Sequence, residues 1–162
     1  MAELRNSSLF LLNRTALRAS TLFEMRELAR HNISLPMYRA LVALLGHDDQ
    51  RLGDLSALAD IEMSTLSRLI GTMQSRRLVT RRRSGKDARA VRIRITEQGR
   101  ALADKLVAAA AGYEADMTRG IGARDIQALK RMLERISGAV DTLAEEASAR
   151  PRPRPQRRAS AA

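Results

Sequence analysis

The sequence predicts a mainly α-helical protein with one small two-stranded sheet. The chain of 162 residues is rich in Leu and Ala but holds only 9 Gly and 4 Pro, a composition that favours helix. Apolar residues recur every three or four positions through most of the chain, which is the period of a helix with one buried side. Between positions 78 and 95 apolar and polar residues instead alternate, which is the period of a strand.

Two helices are predicted in the first third of the chain. The first runs from Ser8 to Arg30 and ends near Asn32, because Asn tolerates a left-handed cap. The second follows Ser34, a favoured N-cap residue, and runs to Gly46. The polar run 47–50 is predicted to be a loop. The first helix carries an apolar stripe: Leu9, Leu12, Ala16, Ala19 and Phe23.

Two short helices joined by a tight turn are predicted between Leu52 and Arg77. Residues 61–63 form the turn, and Ser64 is predicted to cap the second helix. The inner side of that helix is apolar: Leu66, Leu69, Ile70 and Met73. Its outer side is small or polar apart from one arginine: Thr65, Ser67, Arg68, Gly71, Thr72 and Ser75. A helix with such a slim outer side can approach another surface closely.

A basic hairpin follows, with predicted strands at 78–81 and 91–95 and a Gly-containing turn at 83–87. The chain has a net charge of +11, and the stretch 76–94 alone holds nine Lys or Arg residues with Asp87 as its single acid. Solvated faces usually mix charges of both signs. The concentration of positive charge therefore predicts a large anionic partner, and nucleic acid is the first candidate.

Two short helices followed by a basic hairpin predict a winged helix-turn-helix, whose second helix, the recognition helix, enters the major groove of double-stranded DNA. The predicted base contacts are Ser64, Thr65, Ser67, Arg68 and Thr72. The predicted contacts of the hairpin, or wing, to phosphates or the minor groove are Arg81, Arg83, Lys86, Arg89 and Arg92. Asp87 is counted with the wing as a residue that orients one of these arginines, since a carboxylate would repel phosphate.

The rest of the chain predicts two long helices and a tail. Thr96 caps the first of them, and the Gly-rich break 120–122 separates it from the second. The final helix carries an apolar stripe that suggests a partner helix beyond the chain's own core. Residues 148–162, rich in Arg and Pro, are predicted to be a disordered tail, which either adds non-specific DNA affinity or serves only as a solubilising tail. The stripe is Ile126, Leu129, Leu133, Ile136, Val140, Leu143 and Ala147.

Residues 34–102 resemble the MarR family of transcription regulators. The resemblance rests on the runs Leu52–Leu55 and Ser64–Ile70, and above all on the wing signature from Asp87 to Arg100, which contains Asp-x-Arg and then Thr-Glu-x-Gly. Arg77 departs from the pattern, because the family commonly has Gly there, and Gly71 lies inside the recognition helix. The resemblance implies a homodimer joined by the first and last helices. It divides the chain into a dimerisation region at 8–33 and 97–147 and a DNA-binding domain at 34–96.

The resemblance further implies a repressor that a small anionic or aromatic effector releases from a pseudo-palindromic operator. The residues expected near an effector pocket are Arg14, Arg18, Phe23, Arg26, Met37 and Tyr38. Those expected in the dimer interface are Leu9, Leu12, Phe23, Ile126, Leu129, Leu133, Ile136 and Val140.

Other classes of protein fit the sequence less well. No Cys, only two His and no Gly-rich phosphate loop argue against an enzyme and against a cofactor. His47, Asp48 and Asp49 are more often a solvated loop than a metal site. No apolar run approaches the roughly 18 residues of a membrane span, so a cytoplasmic protein is expected. An architectural protein that coats DNA without effector control stays open as an alternative, and a winged helix used for protein contact is disfavoured by the charge.

Overall fold

The computed structural model describes residues 6–83 and 91–149, and it divides the chain into two compact units, residues 1–117 and 118–162. The predicted tail therefore lies outside the described residues, apart from its first two positions. The helices are α1 (Ser8–Phe23), α2 (Leu35–Gly46), α3 (Leu52–Ala59), α4 (Met63–Ser75), α5 (Glu97–Met117) and α6 (Ala123–Ala149). The strands are β1 (Gln50–Arg51), β2 (Val79–Arg83) and β3 (Val91–Ile95).

The first helical segment ends and α2 begins at the predicted capping residues, although the α-helix α1 itself ends at Phe23. Past α1 the helical path continues through a π-helical turn at Glu24–Leu28 and a short 3-10 turn at Ala29–His31. Asn32 then ends it in the left-handed conformation, with φ of 52°. The Ser34 side chain accepts a hydrogen bond from the Met37 amide and so caps α2. These caps confirm the predicted boundaries.

The hydrophobic core of the first unit draws on every helix and on the sheet. Its centre consists of side chains with no exposed surface, and these are Leu28, Ala40, Leu41, Leu44, Leu55, Leu66, Ile70, Met73, Ile93, Ala103 and Leu106. Two aromatic contacts extend the core toward α1 and α5, because the Phe23 ring lies 5.2 Å from that of Tyr38 and 5.4 Å from that of Tyr113. The apolar inner side predicted for α4 thus packs as expected, with Leu69 partly buried at its edge.

The sheet has a third strand, β1, which the sequence does not predict. Its first residue, Gln50, belongs to the run 47–50 that is predicted to be a loop. Gln50 pairs with Ile93 and Arg51 with Arg92, so the strand order is β1-β3-β2 and all pairs are antiparallel. Asp48 helps to align this strand, because its Oδ1 accepts a hydrogen bond from the Ile95 amide at 3.0 Å. A two-residue strand is too short to show alternation, which is why the sequence pattern does not reveal it.

The structure gives a physical reason for Thr96 and Gly99 of the wing signature and shows the conformation of Arg77, which departs from the pattern. A Cβ atom at Gly99 would lie 2.0 Å from the Leu78 carbonyl oxygen, so only glycine permits this approach between α5 and the start of the wing. The Thr96 hydroxyl accepts a hydrogen bond from the Gly99 amide at 2.9 Å and caps α5 as predicted. Arg77 has a φ of 58°, the left-handed region that glycine adopts most easily. Arg77 therefore occupies a backbone position that suits glycine better than an L residue.

The second unit consists of one long helix within its described part. Gly120, with φ of 86°, forms the predicted break, and α6 then runs from Ala123 to Ala149. No residue of α6 is buried. Among the described residues, the helices are each too short or too polar to cross a membrane.

Candidate nucleic-acid interface

The recognition helix α4 has one fully buried side and one open side. Leu66, Ile70 and Met73 have no exposed surface and anchor the helix in the core. The side chains on the opposite side are small or polar, and all are exposed except the half-buried Ser67: Thr65, Ser67, Arg68, Gly71, Thr72 and Ser75. The helix is therefore held rigidly from behind while its slim polar side faces solvent.

Glu62, and not Ser64, is the N-cap of the recognition helix. Its carboxylate accepts hydrogen bonds from the Ser64 hydroxyl and from the Thr65 amide, the latter at 3.0 Å. These bonds, the Ser64 hydroxyl first, lower the pKa of Glu62 to about 2. Because Glu62 caps the helix, α4 begins at Met63 and Ser64 lies inside its first turn. The predicted cap was wrong, although Ser64 still lies at the helix end that approaches bases in related folds.

Arginine side chains secure the neighbouring segments. At the C-terminal end of α4, Arg76 donates hydrogen bonds to the backbone carbonyls of His31, at 2.9 Å, and of Asn32. A cation beside helix carbonyl groups is favourable because it meets the negative end of the helix dipole. Arg39 of α2 contacts the turn between α3 and α4, where it donates to the carboxylate of Asp60 at 2.7 Å and to the Asp60 carbonyl oxygen at 2.9 Å. The position of α4 is therefore fixed at its end as well as along its buried side.

The register of the sheet sorts the basic residues of the wing onto two sides. Val79 lies opposite Ile95, and Arg81 opposite Ile93, so these share the side on which Ile93 and Ile95 are buried. Residues that lie directly opposite each other in an antiparallel pair point to the same side. The outer side accordingly carries Thr80, Arg82, Arg92 and Arg94, with Arg51 of β1 opposite Arg92.

This register brings together cations that are absent from the predicted contacts. Arg82 and Arg94 share the outer side with the predicted contact Arg92, and both side chains are exposed. The signal was present in the alternation of Arg92 and Arg94 with buried isoleucines. The pairing of Arg82 with Arg92 required the register, which the pattern of either strand alone does not give.

Two acids pair with these cations. Asp49 Oδ2 lies 3.1 Å from Arg92 Nε and 3.9 Å from Arg94 Nη2, and Asp48 Oδ2 lies 3.6 Å from Arg100 Nη2. The adjacent guanidinium of Arg92, together with the charges of Arg94 and Arg82, lowers the pKa of Asp49. The acidic pair therefore holds basic side chains and is not simply a solvated loop. No cluster of three or more potential metal ligands occurs in the part of the chain that the structure describes.

The tip of the wing lies outside the described residues, and with it the predicted contacts Lys86, Asp87 and Arg89. Arg83 is described only through its backbone, which pairs with Val91. Arg81 is exposed. The predicted base contacts Ser64, Thr65, Ser67, Arg68 and Thr72 all lie on α4, away from its buried side.

The residues predicted to form an effector pocket do not line one cavity. Arg14 and Arg18 line an open cleft of about 630 Å³ along α1 and the end of α5. Phe23 and Met37 are instead buried in the core, and Tyr38 packs partly against it. The other residues of the cleft are Thr15, Leu17, Ala19, Thr21, Leu22, Met25, Tyr113 and Met117. Arg26 stacks on Tyr113, 5.8 Å from the ring centre, and pairs with Asp116 at 3.2 Å.

The residues predicted for dimerisation are mostly uncovered in the single chain. On α1, Leu9 is 78% exposed and Leu12 is 39% exposed, whereas Phe23, at the end of the same stripe, is buried in the core. A helix of 16 residues whose first part projects from the core exposes its stripe there and buries it only at the end. On α6 the stripe is exposed at Leu129, Leu133, Ile136, Val140 and Leu143 and partly buried at Ile126.

Comparison with known proteins identifies this arrangement. The family model of the transcriptional regulators SarA and Rot matches residues 24–106, which is just over half of the chain. The organic hydroperoxide resistance transcriptional regulator of Bacillus subtilis (strain 168) is 34% identical over 76 residues, or 47% of this chain. The match spans 52% of that regulator, about half its length.

Solved structures extend the similarity to most of the chain. A MarR-family regulator from Silicibacter pomeroyi is 30% identical with a TM-score of 0.71, over 84% of this chain and 92% of that one. The repressor CouR bound to a 23-mer DNA duplex shares the fold at 23% identity and a TM-score of 0.78, over 85% and 96% of the two chains. BpsR of Bordetella bronchiseptica, whose DNA binding is regulated by 6-hydroxynicotinic acid, shares it at 22% identity and 0.75, over 82% and 94%.

These related proteins are transcriptional regulators and not enzymes, which agrees with the polar recognition helix and the basic sheet. The chain belongs to the MarR family of DNA-binding, winged-helix transcriptional regulators.

Proposed function

We propose that the protein is a dimeric repressor that recognises a specific DNA sequence and is released from it by a small molecule. The observation that carries the proposal is the recognition helix, with three apolar side chains fully buried and a slim polar side exposed. A protein that only coats DNA does not need a rigid helix shaped for a groove. The adjoining sheet supplies the cations that phosphate contacts require.

The proposed base contacts are Ser64, Thr65, Ser67, Arg68 and Thr72, and Arg68 is the long side chain among them. Arginine can donate two hydrogen bonds to the O6 and N7 atoms of guanine. Arg68 Nε lies 3.5 Å from the carbonyl oxygen of Ser64, at the limit of a hydrogen bond, so the guanidinium is free to turn toward a base. The proposed wing residues would contact the phosphate backbone of the DNA, with Asp87 orienting one arginine. These residues are Arg81, Arg83, Lys86, Arg89 and Arg92.

Binding to a selected duplex tests sequence recognition. A site is selected from a random library with the protein, and its affinity is compared with that of a random duplex of equal length. We expect a difference of at least about 10³-fold. Arg68→Ala should lower affinity by about 1–3 kcal/mol and relax preference at one base position. Equal affinity for selected and random DNA would instead favour the architectural, DNA-coating alternative.

The uncovered stripes on α1 and α6 support a homodimer. Exposed apolar side chains recur at three- and four-residue steps along α6, the spacing of a helix that packs against another helix. A dimer places two recognition helices about one DNA turn, roughly 34–36 Å, apart, so a pseudo-palindromic operator follows.

An effector site is supported by the cleft beside α1. Arg14 and Arg18 offer positive charge next to apolar side chains and the Tyr113 ring, which suits a small anion with an aromatic or apolar body. The regulation of BpsR by 6-hydroxynicotinic acid is consistent with this class of ligand. A ligand that binds one dimer geometry about 5–150-fold better would shift DNA affinity by the same factor.

A reciprocity measurement tests the effector. Aromatic acids are screened for a rise in thermal midpoint, and a positive compound is titrated calorimetrically with and without the selected duplex. Because coupling between two sites is reciprocal, DNA must weaken the ligand by the factor by which the ligand weakens DNA. Identical ligand affinity in both titrations would exclude this mechanism, and Arg14→Gln with Arg18→Gln should abolish binding if the cleft is the site.

A further inference from the structure

The outer side of the sheet carries a cluster of arginines that the recognition helix and the wing tip do not account for. Arg82, Arg92 and Arg94, with Arg51 opposite Arg92, form what we call the arginine face. Successive residues of a strand point to opposite sides, and Ile93 and Ile95 are buried, so Arg92 and Arg94 point outward. The residues paired with them point the same way. The four cations are therefore held side by side by the fold.

One carboxylate lies within this cluster. Asp49 Oδ2 is shared by Arg92 Nε, at 3.1 Å, and Arg94 Nη2, at 3.9 Å, and Arg92 also donates to the Asp49 carbonyl oxygen. Among the described residues, neither Arg51 nor Arg82 has an ion-pair partner. Guanidinium groups that converge on one exposed anionic oxygen, with an excess of positive charge, form the arrangement that binds phosphate.

We propose that the arginine face binds a phosphate group of the DNA backbone, and that Asp49 occupies the place of that phosphate in the free protein. The inference rests on the proposed DNA-binding function and adds an interaction outside the recognition helix and the wing tip. Because phosphates are alike at every base pair, this interaction contributes affinity and not sequence preference.

Salt dependence tests the arginine face directly. Arg82→Gln with Arg94→Gln should make the log–log salt slope for a random duplex shallower by about 0.9 for each phosphate that the variant no longer neutralises. Affinity for the selected duplex should fall by the same factor, so the ratio of selected to random affinity stays unchanged. The matched control, Arg124→Gln with Arg131→Gln, removes the same charge from exposed positions of α6 away from its apolar stripe and should leave the slope unaltered. An unchanged slope in the double variant, or an equal change in the control, would overturn the proposal.

Asp49→Asn separates the two roles open to the carboxylate. Asparagine tolerates the φ of 60° at this position and keeps an acceptor oxygen, while the negative charge is removed. If Asp49 competes with phosphate, Asp49→Asn should bind random DNA several-fold more tightly at low salt. If Asp49 serves only to attach β1 to the sheet, the thermal midpoint falls and affinity does not rise, which would contradict the proposal.

The outcomes also distinguish this inference from the proposed function. A wild-type protein with no preference for the selected duplex would defeat sequence recognition even if its salt slope responds to Arg82 and Arg94. A strong preference combined with an unresponsive slope would leave recognition intact and remove the arginine face from the interface.

Discussion

The recognition helix α4 and the terminal helix α6 are both amphipathic, but only α4 buries its apolar side within its own chain. Ile70, on the apolar side of α4, has no exposed surface, whereas Ile136, on the apolar stripe of α6, is 43% exposed. Both stripes repeat at helical spacing, so the sequence pattern is the same in kind. The difference teaches that periodicity predicts that a helix will bury one side, and it does not predict what will cover that side.

The largest expected effect concerns the exposed apolar stripe of α6. Leu133→Lys with Ile136→Lys should give a monomer whose affinity for the selected duplex falls by about 10²–10⁴-fold, because the two half-sites no longer act together. Sedimentation measures the oligomeric state, and fluorescence anisotropy measures the affinity for the duplex. Gln127→Lys with Thr142→Lys adds the same charge on other sides of α6 and should stay dimeric. A variant that stays dimeric would show that α6 is not the interface, and tight operator binding by a monomeric variant would show that DNA binding does not need the dimer.

The buried stripe should respond differently. Ile70→Ala leaves a cavity in the core and should lower the free energy of unfolding by about 2–5 kcal/mol. Chemical denaturation at two protein concentrations should give the same decrease, because Ile70 packs within one chain. Thr72→Ala, on the exposed side of the same helix, should stay within about 0.5 kcal/mol of wild type. A small effect at Ile70 would mean that α4 is less firmly anchored than its burial indicates.

A smaller and opposite effect is expected at the end of the recognition helix. Arg77 holds a left-handed conformation that costs a non-glycine residue roughly 1–2 kcal/mol. Arg77→Gly should therefore raise the free energy of unfolding by about 1 kcal/mol, measured by denaturation in urea. Ser75→Gly, within the helix, should lower it. If Arg77→Gly is destabilising, the arginine side chain contributes more than its backbone conformation costs.

The smallest effect depends on pH and concerns the start of the same helix. The folded pKa of Glu62, about 2, lies below its ordinary value of 4.5. Its capping contribution is therefore present above pH 4.5 and declines as the pH falls toward 2. Glu62→Gln should lower the thermal midpoint at pH 7 and have less effect at pH 3. An equal difference at both pH values would mean that the charge of Glu62 does not stabilise the helix.

Several features of the fold could be predicted because they depend on neighbouring residues. The end of the first helical segment and the start of α2 follow from Asn32 and Ser34, whose side chains and backbone act within one turn. Ser64 is the expected cap of α4 because serine is the commoner capping residue, yet Glu62, two residues earlier, accepts from the Thr65 amide and starts the helix sooner. A choice between two adjacent acceptors depends on backbone angles that the residue types alone do not determine.

The sequence by itself determined the periodicity of each helix, the basic hairpin and the position of the slim polar side on α4, since these follow from local spacing and residue chemistry. Tertiary structure decided which groups meet across the chain. It paired β1 with β3, directed Phe23 into the core, placed Arg82 opposite Arg92 and brought Asp49 to Arg92 and Arg94. These contacts join residues that are ten or more positions apart, and they depend on register and on competition for the same core, which no local pattern records.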